Sequence, residues 1–489
     1  MFANIARGLC AALALTFATP AHAQTDNSAA RANARDIFQH IIGMDTSVAG
    51  GQTPAMANYL AERFRQGGFA AEDVHVLPVE STAVLVVRYR GDGSGGRPIL
   101  FLAHMDVVAA LRSDWERDPF TLIEENGYFF GRGTADNKAG VALLTTTFLQ
   151  LRAEGFTPTR DLILVFSGDE ETNPISTRVL LRDHRALLGD PEFALNSDGG
   201  GGDVSEETGA PTSYTIQTAE KTFATFTLTA RNPGGHSSAP RADNAIFDLT
   251  DAIARLRAYE FPVMWNDTTI ASFRARGAGA EGEVGAAMRR FAQRPGDRRA
   301  AARMSREPGL VGQVRTTCIP TRLNAGHADN ALPQTAIATV NCRIFPGVAV
   351  SEVQAQLQQL AGQSVVVELR SDLPPTDPSP LREDVIAAVT AAVHRHHPGV
   401  PIVPAMAPYY TDGMFYRAAG IPTYGVGEIF MKDSDGFAHG LNERVPVEAF
   451  YNGLDHWRGL ISQLAGTSLV ALGRRIATKP SPPLGRGNI

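Results

Sequence analysis

A chain of 489 residues is longer than one hydrophobic core organises, so two or more domains are expected. With 44% hydrophobic and 20% charged residues, it has the composition of a globular protein with a sizeable core. A net charge of −6 without a basic excess argues against nucleic acid as a partner, and no block of like charge suggests a tail or a membrane-surface helix.

The first segment reads as an export signal. Arg7 is its positive end, Leu9 to Phe17 its apolar stretch, and Ala21-His22-Ala23 a small-x-small cleavage site before Gln24. The apolar run is too short to span a bilayer, and no later stretch looks transmembrane, so no stable membrane anchor is expected. A secreted or periplasmic protein follows, with residues 1–23 removed. Two cysteines then remain, Cys318 and Cys342, not spaced like a zinc knuckle. An oxidising compartment permits a disulfide between them, and two buried free thiols are the alternative.

Residues 31–70 read as one helix ending near Gly67-Gly68. Val84–Tyr89 and Ile99–Ala103 read as strands, the second apolar throughout, as in a strand buried on both faces. Ala139–Glu154 is helical, and Leu162–Phe166 and Phe193–Leu195 are further strands. The alternation predicts an α/β fold with a mainly parallel, doubly wound sheet. Near residue 215 the pattern changes. Tyr214–Thr229 alternates as a half-exposed strand, Asn244–Tyr259 is a helix, and residues 270–310 form a helical insertion with mobile joints. Val314–Asn324 and Thr335–Phe345 pair as an antiparallel hairpin, followed by a helix at Ser351–Ala361 and a strand at Val365–Leu369. The expected division is therefore residues 24–214 and 374–475 for the catalytic domain. Residues 215–373 form an inserted α+β, ferredoxin-like lid, and 476–489 a disordered tail containing Lys479-Pro480-Ser481-Pro482-Pro483.

Acids and histidines cluster where buried strands end, which is where ligands gather in such sheets. His104-Met105-Asp106 follows one strand. Positions i and i+2 share a side of an extended chain, so Asp106 can reach the ring nitrogen of His104 that does not bind metal. Gly131-Arg132-Gly133-Thr134-Ala135-Asp136-Asn137-Lys138 joins a strand to a helix, and Asp136 reads locally as its N-cap. Ser167-Gly168-Asp169-Glu170-Glu171 crowds three acids that a dication would stabilise, unless the loop is simply solvated. Asn196-Ser197-Asp198-Gly199-Gly200 reads as an Asx-turn or a ligand loop. His439, in Ala438-His439-Gly440-Leu441-Asn442-Glu443, alone reads as a surface histidine.

The ordered series HxD, GRGxxDxK, DEE, DGG and a late histidine resembles the M20 family of metallopeptidases over roughly residues 35–470. The stretch His104-Met105-Asp106-Val107-Val108, with Trp115 and Asp118-Pro119-Phe120, is most similar to its carboxypeptidase S and N-acyl amino acid hydrolase branch. The resemblance implies two divalent ions, zinc foremost, with cobalt or manganese as alternatives. It implies that Asp136 bridges them, His104 and Asp198 complete one site, and Glu171 and His439 the other. Glu170 is the implied general base, Asp106 orients His104, and a cis peptide follows Asp136. Asn137 stands where the family often has methionine. His236, in Asn232-Pro233-Gly234-Gly235-His236-Ser237-Ser238, is implied to polarise the scissile carbonyl, often from a partner subunit, which allows a homodimer through the lid. Asn330, in Asn330-Ala331-Leu332-Pro333, and Arg343, in Asn341-Cys342-Arg343-Ile344-Phe345-Pro346-Gly347, match two more family segments. Arg343 is suited to clamp a substrate carboxylate, with a structural ion pair as the alternative. Thr411 opens a helix whose N–H groups would hold an anion. The expected activity is hydrolysis of the amide next to a free carboxylate in small peptides, or the same cut in N-acyl amino acids by an aminoacylase. A non-catalytic binding protein on the same fold is the remaining reading.

Overall fold

The computed structural model describes residues 27–371 and 373–466; the export signal and the proline-rich tail lie outside them. Among these residues, no helix is long and apolar enough to cross a membrane.

The apolar strands assemble into one ten-stranded sheet. Its centre is parallel, in the order Leu162–Ser167, Ile99–His104, Phe193–Asn196, Thr423–Gly425. Thr82–Tyr89 and Val74–Val79 add antiparallel on one flank. Pro211–Glu220 and Gly201–Val204 add antiparallel on the other, and Ile402–Ala407 and Phe430–Lys432 pair parallel with these two, so the sheet is mixed with a parallel centre. Short connections such as Glu80-Ser81 can only join antiparallel neighbours, because a parallel crossover needs a dozen residues or more. Both faces are covered. Ile99, Phe101 and Ala103 enter a core with helices Ser28–Ile42, Lys138–Ala153 and Val447–Ala465, while Leu100 and Leu102 pack with Leu180 and Tyr416 on the opposite face. The continuous apolar run of this strand reflects that double burial.

The helix expected over 31–70 is two helices, Ser28–Ile42 and Thr53–Gln66. Asp45 breaks it: its carboxylate accepts from the N–H of Ser47 at 3.0 Å, an Asx-turn that competes with helix, and Pro54 starts the second helix. Tyr214–Thr229 is likewise not one strand. Pro211–Glu220 belongs to the large sheet and Thr222–Arg231 to a second sheet, and the chain crosses between them at Lys221.

That second sheet has four antiparallel strands in the order Thr317–Ala325, Thr335–Ile344, Thr222–Arg231, Val365–Leu369. Helices Ala245–Ala258 and Val350–Ala361 pack on it around Phe226, Leu249 and Leu357. The β-α-β-β-α-β succession and this strand order are those of a ferredoxin-like unit. The stretch 270–310 is helical, from Asp267–Gly279 to Pro308–Val311, with its own core of Phe273, Phe291 and Met304.

The hairpin register places Cys318 directly opposite Cys342, and a disulfide joins them. Thiol titration of the denatured, unreduced chain from Gln24 onward should therefore find no free thiol. Two thiols per chain would mean that the bridge does not form.

Candidate metal centre

His104 and Ser167 are the last residues of adjacent parallel strands, and Asp198 follows the next strand by two residues. Side chains leaving these strand ends converge because parallel strands deliver their carboxyl ends to one edge. Asp136 approaches from the segment before helix Lys138–Ala153. It is not the N-cap: Asn137 holds that position without a side-chain cap, and a cis peptide joins Asp136 to Asn137.

Two histidines meet on the Asp136 carboxylate. His104 Nε2 lies 2.8 Å from Oδ1 and His439 Nε2 3.2 Å from Oδ2. His439 Nε2 is also 2.9 Å from Glu171 Oε2, and His104 Nε2 is 3.9 Å from Asp198 Oδ2. His104, Asp136 and Glu171 form one set of ligand atoms close enough to hold an ion, and His104, Glu170 and Asp198 another. Nδ1 of His104 faces the backbone carbonyl of Asp106 at 3.0 Å. A carbonyl only accepts, so Nδ1 carries the proton and Nε2 is left as the ligand atom.

Asp106 was expected to orient His104 through its carboxylate. That carboxylate faces Nδ1 at 3.4 Å and also accepts from the N–H groups of Glu170 and Glu171 at 3.1 and 3.0 Å. One residue thus sets the imidazole with its carbonyl and the glutamate turn with its side chain.

Carboxylates outnumber cations here, and their proximity shifts one another's ionisation. Burial, then the charge of Asp198, pushes the Glu170 carboxyl well above the usual range. Burial, with Asp136 and Glu171 nearby, does the same to Asp198. Burial opposes ionisation of Asp136 too, but hydrogen bonds from His104 and His439 hold its carboxyl below the ordinary range. Hydrogen bonds to Asp136 and Glu171 raise His439 to about 10. A nitrogen and oxygen donor set with clustered carboxylates and no thiolate fits divalent ions.

Several residues that hold this arrangement were not singled out from sequence. Glu443 is fully buried and pairs with Arg132 at 2.6 Å. It also accepts from the N–H groups of Gly133, Ala135 and Asp136 at 2.8 to 3.1 Å. Arg132 in turn donates to the carbonyl of His439 at 3.3 Å, so one ion pair ties the two metal-facing segments together. Gly133 allows the path: its φ is +87°, and a Cβ would meet Lys138 and Val107 at 2.9 Å. The signal was present in the GRG run and in Asn442-Glu443, but nothing local says they pair. Asn137 accepts from Ser197 Oγ at 2.7 Å, which joins the Asp136 and Asp198 segments and accounts for a polar residue there.

The substrate-side expectations divide. Arg343 lines the same cavity of about 850 Å³ as Asp136, Glu170, Glu171, Asp198 and His439. It donates to the carbonyl of Pro408 at 3.0 Å and lies over the Phe223 ring at 4.7 Å. Among the described residues no acid pairs with it, so the structural ion pair is not found. Thr411 also lines the cavity, but its N–H is already taken by Glu220 at 3.1 Å and its hydroxyl by the same carboxylate at 2.7 Å. The anion held at this helix start is the chain's own Glu220, which also pairs with Arg417 at 2.6 Å. His236 and Asn330 come together on a two-stranded ribbon, where His236 is exposed, and neither lines the cavity.

Residues 100–463 match the sequence profile of peptidase family M20/M25/M40. The chain belongs to this family. It is a metal-dependent hydrolase of the M20 type, in line with its resemblance to peptidases and aminoacylases alike. The chain is 28% identical over 373 residues to human N-fatty-acyl-amino acid synthase/hydrolase PM20D1, covering 74% of this chain and 73% of that protein. It is 26% identical over 418 residues to mouse aminoacylase-1, covering 83% and 89%. Its fold matches the M20 family metallo-carboxypeptidase Sso-CP2 from Sulfolobus solfataricus with a TM-score of 0.67 and 17% identity, over 88% of this chain and 99% of that one.

Proposed function

We propose that this M20 enzyme uses two zinc ions to hydrolyse the amide bond next to a free carboxylate in small peptides and N-acyl amino acids. The observation that carries the reading is the Asp136 carboxylate held between two imidazoles, one oxygen to each. In this reading Asp136 would serve both ions, His104 and Asp198 would hold one, and Glu171 and His439 would hold the other. The donor set suits zinc, and cobalt or manganese would fit the same atoms. When bound, the ions supply an acidified water and polarise the scissile carbonyl. Glu170, buried beside His104 and Asp198, takes the water's proton and passes it to the leaving nitrogen. Arg343, without an acid of its own, receives the substrate carboxylate.

A second observation favours the N-acyl substrates. Beyond the acids, the cavity is walled by Met406, Ile429 and Met431, apolar side chains that suit an acyl group. Two relatives bear the names of N-acyl amino acid enzymes, which supports the same choice. The disulfide and the leader-like sequence of residues 1–23 support export. For His236 to reach a substrate over the acids, a second copy of the chain or a movement of the four-stranded unit is needed.

The test is a matched pair, an N-acyl amino acid and its carboxamide. The wild type should prefer the free acid, and Arg343→Ala should lower kcat/KM for the acid by about 10²-fold while barely changing the amide. Equal losses on both substrates would make Arg343 structural and remove the carboxylate clamp.

A further inference from the structure

Hydrolysis of an amide develops negative charge on the carbonyl oxygen, and a protein donor in the cavity beside the ions would share in stabilising it. The hydroxyls and amides along this wall are mostly committed. Tyr410 donates to the carbonyl of Glu170 at 3.3 Å, Thr411 to Glu220, and Ser197 to Asn137. Arg343 is assigned to the substrate carboxylate, and His236 stands away from the cavity.

Tyr409 is different. Its ring lines the cavity with Asp136, Glu170 and Asp198, and its hydroxyl has no partner among the described residues. Its backbone is fixed on both sides. Arg343 holds the carbonyl of Pro408, and Glu220 holds the N–H of Thr411. A half-exposed phenol on a clamped backbone is presented to the cavity at low reorganisation cost. Burial, then the charges of Asp198, Glu220 and Asp136, keeps that phenol protonated far beyond neutral pH, so it remains a donor throughout the working range.

We propose that Tyr409 is a catalytic residue that donates a hydrogen bond to the carbonyl oxygen as the tetrahedral intermediate forms. The inference rests on the amide-hydrolase reading above. The phenol keeps its proton, so the acid–base cycle of Glu170 is unchanged. The donation strengthens as charge builds on the oxygen, so it acts on the transition state more than on the bound substrate.

The experiment compares the zinc-loaded wild type with Tyr409→Phe, which keeps the ring and the packing. The substrate is an N-acyl amino acid, and the probe is a phosphonate analogue of its tetrahedral intermediate, with binding measured by calorimetry. Tyr409→Phe should retain both metal equivalents and nearly unchanged KM, with kcat lower by about 10²-fold. Analogue affinity should fall by a similar factor, while affinity for the amino acid product stays constant. A kcat and an analogue affinity within about twofold of wild type would overturn the role of Tyr409 and leave the hydrolase reading intact. A lower kcat with unchanged analogue affinity would equally overturn it, because a structural defect would then be responsible. A zinc-loaded wild type that cleaves no N-acyl amino acid or dipeptide would overturn the hydrolase reading and this inference with it.

Discussion

Glu170→Ala should keep both metal equivalents and lose about 10²–10⁴-fold in turnover, the usual cost of removing a general base. Glu170 is 7% exposed, and its turn is held by Asp106 through the backbone N–H and by Tyr410 through the carbonyl. These contacts are all to the main chain, so truncating the side chain leaves the turn in place. Glu171 differs in that its carboxylate contacts His439 at 2.9 Å and lies with His104 and Asp136. Glu171→Ala should therefore lose metal as well as activity. Glu170 clusters with His104 and Asp198 as Glu171 does with His104 and Asp136. Elemental analysis of the two variants settles the assignment: substantial metal loss in Glu170→Ala, with Glu171→Ala still active, would reverse it.

Removal of metal should abolish activity altogether, and zinc, cobalt or manganese should restore it. Asp136, Glu171 and Asp198 converge, His104 and His439 are the cations in direct contact with them among the described residues, and Arg132 is committed to Glu443. Taking a dication from such a set leaves like charges facing one another at a half-buried site. The same removal should lower thermal stability, because ions that bind only the folded chain contribute RT ln(1 + [L]/Kd), about 2.7 kcal/mol at 100-fold excess over Kd. The check is a chelated sample verified metal-free, assayed and then melted beside its reconstituted form. Full activity in the verified metal-free sample would end the two-metal reading.

What the sequence by itself determined is local in origin. The apolar run Ile99–Ala103 marks a strand buried on both faces, and HxD at its end puts His104 at the edge where ligands collect. The near-symmetric placing of Cys318 and Cys342 about a hairpin marks them as candidate cross-strand neighbours, and a register shift between Pro320 and Arg322 sets them directly opposite. The ordered motifs name the family because each is a contiguous stretch whose chemistry is visible residue by residue.

What only the tertiary structure decided depends on partners far along the chain. Glu443 meets the Gly133–Asp136 segment across some 310 positions, and Glu220 meets Thr411 across 191. No periodicity encodes such pairings. Thr411 therefore read as an open anion site when its N–H was already taken, and Arg343 read as free or paired with no local means of choosing. The crossing at Lys221 was hidden for a related reason. Two consecutive strands alternate alike, and only hydrogen bonding to different neighbours assigns them to different sheets. The mixed sheet has the same cause: strand direction is a property of pairing, which composition and spacing do not carry.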